Sequence, residues 1–192
     1  MVKRLTVYRP STKNIKGVVI AIPGFGSNRA VYKDWANVLT GKGYVVAAAD
    51  PWWKFALPWN RARTANIVGW KMHHMFNTDN IWAMGRSMGG TGVLRAKTLD
   101  DRFPFKGTIA IVPWVLDYTP WFKQSMPDDK TLIVYSPNDK VAPSLKFMKT
   151  ISSHGNVLLS TLGHKAGRNP GDDVVNRSQN LGNIVVDWME KL

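Results

Sequence analysis

The chain has 192 residues, 44% of them hydrophobic, and no apolar stretch approaches the roughly 18–20 residues of a membrane span, which points to one soluble globular domain spanning 1–192. It has no cysteine and four histidines, which excludes disulfides and thiol chemistry and disfavours a structural zinc site. The net charge is +13 with Glu190 as the only glutamate, but the cations occur as singles and pairs (Lys3-Arg4, Arg61 and Arg63, Lys146 and Lys149), with no helix-turn-helix, zinc-finger or RNP pattern, so no nucleic-acid role is read from them. The start, Met1 to Pro10, carries charge but no apolar h-region, so no signal peptide is expected and the expected location is the cytoplasm.

Gly17-Val18-Val19-Ile20-Ala21-Ile22 is a continuous, β-branched apolar run, the pattern of a strand buried on both faces. It breaks at the loop Pro23-Gly24-Phe25-Gly26-Ser27-Asn28. Val31, Trp35, Val38 and Leu39 then recur at helical spacing up to Gly41 and Gly43. Tyr44 to Ala49 reads as a second buried strand, closing at Asp50-Pro51. An aromatic segment from Trp52 to Trp59 follows, then a helix over about 61–76. Ile81-Trp82-Ala83-Met84 is a third strand, Thr108 to Val112 a fourth, Thr131 to Tyr135 a fifth and Asn156 to Ser160 a sixth. Leu181, Ile184, Val185, Trp188 and Met189 mark a final amphipathic helix.

Strands alternating with helices predict an α/β fold: a mostly parallel sheet of about six or seven strands, covered by helices on both faces. The chemistry of such a sheet sits on loops at the strand C-termini.

Gly85-Arg86-Ser87-Met88-Gly89-Gly90 lies between the third strand and a helical pattern, the context in which Gly-x-Ser-x-Gly presents a nucleophile. A serine hydroxyl needs a base to attack at neutral pH. His164, just after the sixth strand, opens on the same sheet edge, whereas His73 and His74 fall within a helix and His154 in a turn. The imidazole needs an acid to hold its tautomer. Asp139, just past the fifth strand, is favoured over Asp117, which follows the fourth. The chain order Ser87, Asp139, His164 is that of the α/β-hydrolases. Two backbone amides could receive the oxyanion, those of Met88 and Phe25. Trp114, Trp52 and Trp53 are candidates to line an apolar substrate cleft. Only about ten residues, from Asp117 to Met126, lie between Trp114 and Pro127, so no lid is expected.

These motifs resemble the α/β-hydrolase superfamily and, within it, the bacterial cutinase and polyester-hydrolase group, near the dienelactone hydrolases. The resemblance covers roughly residues 15–192 and rests on Pro23-Gly24-Phe25-Gly26, Met84 to Gly90, Val112-Pro113-Trp114, Asn138 to Pro143 and Gly163-His164. It implies a serine esterase acting on small-molecule or polymeric esters, without a cofactor. Acyl transfer or thioester cleavage on the same residues, or a non-catalytic binding protein of the same fold, are the alternatives. Three features depart from that group: a short N-terminus with little of its sheet, no C-terminal disulfide, and Arg86 where an aromatic residue or histidine is more usual.

Overall fold

The computed structural model describes residues 2–114, 128–141, 156–174 and 179–192. Within them, strands β1 (Val2–Tyr8), β2 (Gly17–Ile22), β3 (Tyr44–Pro51), β4 (Ile81–Arg86), β5 (Gly107–Ile111), β6 (Thr131–Tyr135) and β7 (Asn156–Leu159) form one sheet. Its order is β1-β3-β2-β4-β5-β6-β7. Every neighbouring pair is parallel except β1 with β3. The described helices are α1 (Lys33–Gly41), α2 (Pro58–Phe76), α3 (Met88–Ala96) and α4 (Leu181–Lys191).

The period-2 alternation of strand side chains sorts the apolar residues into two cores. Val18, Ile20, Val45, Ala47, Ile81 and Ala83 pack under α2 and α3 with Ala62, Ala65, Val68 and Val93. Val19, Ala21, Val46, Ala48, Trp82 and Met84 face the other way, under Trp35 and Leu39 of α1 and Val185 and Trp188 of α4. Burying one such large side chain stabilises the fold by about 1.5–3 kcal/mol. Strands buried on both faces have no polar side to show, which is why β2 and β3 read as unbroken apolar runs.

β1 is the strand that periodicity did not reveal. Its sequence, Val-Lys-Arg-Leu-Thr-Val-Tyr, alternates only in part and is half exposed, because an edge strand buries one face at most. Residues 2–8 therefore supply one antiparallel strand to the sheet. The helix expected over 61–76 begins earlier, at Pro58, whose fixed φ and missing N–H suit the first helical turn. It ends at Asn77, in the left-handed region with φ 48°.

Parallel register brings Ile22, Arg86, Ile111 and Tyr135 to one edge of the sheet. Ile22 stands beside Gly85, Arg86 beside Ile111, and Tyr135 beside Leu159. The segments that follow β2, β4, β5, β6 and β7 all emerge there.

Candidate active site

Ser87 follows β4 with φ 55° and ψ −125°, a backbone conformation that L-residues avoid and that surrounding contacts must enforce. The enforcement is visible. Its N–H donates to the Ile111 carbonyl (2.8 Å), and its carbonyl accepts from Thr91 N–H (3.1 Å) and Trp114 N–H (3.2 Å). A Cβ on Gly85 would collide with the Gly89 backbone, and one on Gly89 with the carbonyl of Ile22. Both glycines are thus required by the close approach of β4, α3 and the end of β2. Ser87 is the N-cap of α3 but makes no side-chain capping bond, so its hydroxyl is not committed to the helix.

The loop after β2 runs directly against this serine. A Cβ added at Gly24 would sit 3.2 Å from the Ser87 Cβ and 3.8 Å from its Oγ. The Gly26 amide is held by Lys54 O (3.0 Å) and that of Ser27 by Gly24 O (3.3 Å). Among the described residues, no such partner holds the Phe25 or Met88 amide. Arg61, fully buried, fixes the loop from behind: it donates to the carbonyls of Pro23 (2.5 Å), Lys54 (2.8 Å) and Ala56 (3.0 Å). Burial pulls its guanidinium down to about 10, so it stays charged at neutral pH and these are charge-assisted bonds. Tyr32 adds a further clamp, its hydroxyl donating to Ile22 O (2.7 Å), and burial pushes that phenol well above its ordinary value.

Asp139 and His164 meet. Asp139, only 5% exposed, places Oδ2 at 2.8 Å from His164 Nδ1, while its Oδ1 accepts from Val141 N–H (2.9 Å). A carboxylate only accepts hydrogen bonds, so Nδ1 is the donor, and in the neutral imidazole this leaves the lone pair on Nε2. The histidine loop is anchored at four points. Gly163 N–H donates to Ser136 Oγ (2.9 Å), and Arg86 Nε to Ala166 O (3.0 Å). Trp35 Nε1 donates to Gly167 O (2.9 Å), and Gly167 N–H to Asp172 Oδ2 (2.8 Å). The loop also passes close to the serine turn, since Gly167 is pressed against the Ile111 side chain whose carbonyl holds Ser87. Among the described residues, Ser87 Oγ itself makes no hydrogen bond.

A cavity of about 410 Å³ lies between the two loops, bounded by Gly24, Ser27, Arg86, Gly167 and Arg168. Burial lowers the Arg86 pKa and the Arg168 charge lowers it further. Its Nη2 is buried without a hydrogen-bond partner among the described residues.

The tryptophans divide. Trp114 is clipped to the nucleophile turn by its backbone, its N–H on Ser87 O and its carbonyl receiving the Thr91 hydroxyl (2.5 Å). Trp52 and Trp53 are 60% and 54% exposed on the loop before α2. Trp53 is linked to Phe25 through Phe55, with ring centroids 5.4 and 4.9 Å apart. Among the described residues, no hydrogen bond or ring pairing joins the Trp52 or Trp53 side chain to Ser87 or His164. Asp117, His154 and the segment from Asp117 to Met126 lie outside the described residues. Among the described residues no group of three or more histidines and carboxylates is placed to hold a metal ion, and no helix is long and apolar enough to cross a membrane.

Arg61, Ser136, Trp35 and Asp172 are not among the site residues that the sequence motifs mark. Arg61 had a signal: it falls on the buried stripe of α2 with Ala65, Val68 and Met72, where a lone cation needs buried acceptors. The partners of Ser136 and Trp35 are distant in sequence, and although Asp172 is only five positions from Gly167, no local pattern marks any of the three.

A mostly parallel sheet sandwiched by helices, with a strained serine turn between β4 and α3, is α/β-hydrolase architecture. The chain belongs to the PETase family, described as PET hydrolase-like, which its sequence matches over residues 5–192. Membership supports a polyester or ester hydrolase in general, and the match begins within β1, earlier than the motifs alone reach. A search of curated proteins finds no match.

Proposed function

We propose that this protein is a serine carboxylic-ester hydrolase working through Ser87, His164 and Asp139. Ser87 Oγ attacks the ester carbonyl while His164 Nε2 takes its proton. The tetrahedral oxyanion sits against the Phe25 and Met88 amides. Collapse expels the alcohol, which receives that proton from His164, and leaves Ser87 acylated. Water, deprotonated by the same imidazole, then releases the acid and restores the serine. Asp139 holds the imidazole in the Nε2-basic tautomer and stabilises its cation. The Trp114 ring, with the exposed aromatics of the 52–57 loop, offers an apolar wall for the acyl or polyester chain.

The observation that carries this reading is the 2.8 Å Asp139–His164 pair, opening on the sheet edge that holds Ser87 in a strained turn. The test is turnover of a p-nitrophenyl ester by Ser87→Ala, with circular dichroism to check the fold. The expected result is a loss of about 10⁴-fold or more in kcat with an unchanged spectrum. A folded variant that keeps more than a few per cent of the activity would place the nucleophile elsewhere.

A further inference from the structure

A second cavity among the described residues is larger than the one bounded by Gly24, Arg86 and Gly167. It holds about 580 Å³ and lies at the β1 edge of the sheet, between β1, the end of β3 and the far side of the loop that runs past Ser87. That volume is in the range of small-molecule sites. Its walls carry four cations, Lys3, Arg4, Arg29 and Lys54, against one acid, Asp50.

Asp50 is already satisfied. Arg29 Nη1 pairs with its Oδ2 (2.7 Å), the Arg29 backbone N–H donates to its Oδ1 (2.6 Å), and Arg29 Nε donates to Thr6 Oγ1 (2.7 Å). That pair cancels, and three positive charges remain. Among the described residues, no carboxylate pairs with Lys3, Arg4 or Lys54.

Nor is their convergence a plain consequence of strand alternation. Successive strand residues point to opposite faces, so Lys3 and Arg4 should diverge. The register against β3 slips between Val2 and Arg4, leaving Lys3 as an extra, bulged residue. A bulge bends the strand and re-aims side chains. Here both cations line the same cavity, in line with Thr6 and Tyr8. Lys3, Arg4 and Lys54 are exposed, and like charges gathered around one concave surface raise the local positive potential and attract an anion.

We propose that this cavity binds a soluble phosphorylated small molecule, its two or more negative charges held by Lys3, Arg4 and Lys54. Tyr8 and Trp53, also on the walls, give the organic part of the ligand an aromatic surface. A concave site favours a small molecule over a flat membrane surface, and the vesicle arm of the test separates the two. The site is distinct from the reacting groups, since none of its lining residues is among Ser87, Asp139 and His164, although it shares Ser27 with the cavity beside Arg86 and Trp53 with the aromatic wall, and its test reads binding, not turnover.

The test is isothermal titration of the full chain with inorganic pyrophosphate at about 0.05 M NaCl. Three variants accompany it: Lys3→Glu/Arg4→Glu, Lys54→Gln, and the control Lys13→Glu/Arg102→Glu. The control makes the same change in net charge at two exposed positions outside the cavity. The expected result is saturable binding by the parent and the control. The Lys3→Glu/Arg4→Glu variant should bind at least tenfold more weakly and Lys54→Gln several-fold more weakly, with unchanged melting temperatures. If the first variant does not fold, Lys54→Gln against the control decides alone. No binding by the parent, equal losses in control and cavity variants, or binding only to vesicles of anionic phospholipid would each overturn the proposal.

Discussion

The serine turn and the histidine loop face each other across the same sheet edge, yet they are built in different ways. The turn is shaped by main chain. Gly85 and Gly89 are squeezed between backbones, and the strained Ser87 is held by the carbonyl of Ile111 and the amides of Thr91 and Trp114. The histidine loop is shaped by side chains reaching from elsewhere: Ser136, Arg86, Trp35 and Asp172 each seize one backbone group between residues 163 and 167. A main-chain device has few substitutes and fails as a whole. A loop held by several separate bonds should degrade by steps.

The sharpest break in that comparison comes from the turn. Gly85→Ala puts a methyl group into the Gly89 backbone, and neither backbone can yield without moving β4 or α3. The expected cost exceeds about 4 kcal/mol, read as failure to fold or as a large fall in the urea midpoint. A variant within about 1 kcal/mol of the parent would show that the turn is not sterically fixed.

Next in size is the acid. Asp139→Asn keeps the shape but favours the wrong imidazole tautomer, so kcat should fall by about 10³–10⁴-fold, while Asp117→Asn should cost far less. The reverse ranking in ester turnover would move the acid to the segment after β5.

Smallest is the loosening of one anchor. Ser136→Ala leaves the Gly163 amide without its acceptor, at about 1–3 kcal/mol where no water replaces it. The account expects a fall in kcat of about tenfold with KM nearly unchanged, and a smaller fall still for Ser136→Thr, which keeps a hydroxyl. Equal effects of the two variants would mean that packing, and not the hydrogen bond, sets the loop.

The same division explains what could be read from sequence. Main-chain devices write themselves locally. The spacing of Gly85, Ser87 and Gly89 after an apolar strand announces the turn, and β2 to β6 declare themselves as apolar runs because both faces are buried. Asp139 and His164 follow from their places just after β6 and β7, and the structure brings them to 2.8 Å. Long-range side-chain anchors write nothing local. Trp35 and Gly167 are 132 positions apart, and Ser136 and Gly163 are 27 apart. β1 carries no such signal for a related reason: its Lys3, Arg4 and Thr6 face a cavity and solvent, so no apolar period marks it. The charge follows suit. Scattered in sequence, Lys3, Arg4, Arg29 and Lys54 converge only once β1 is laid beside β3.

The claim on which all of this turns is that Ser87 is activated by His164. A fluorophosphonate probe tests it directly, because it reacts with a serine whose hydroxyl is deprotonated by a neighbouring base and ignores ordinary hydroxyls. Intact-mass and peptide analysis of the labelled protein should show a single adduct, on Ser87, formed rapidly by the parent and almost abolished in a folded His164→Ala variant. An adduct on another residue, no adduct at all, or labelling of Ser87 at the parent rate without His164 would contradict the account.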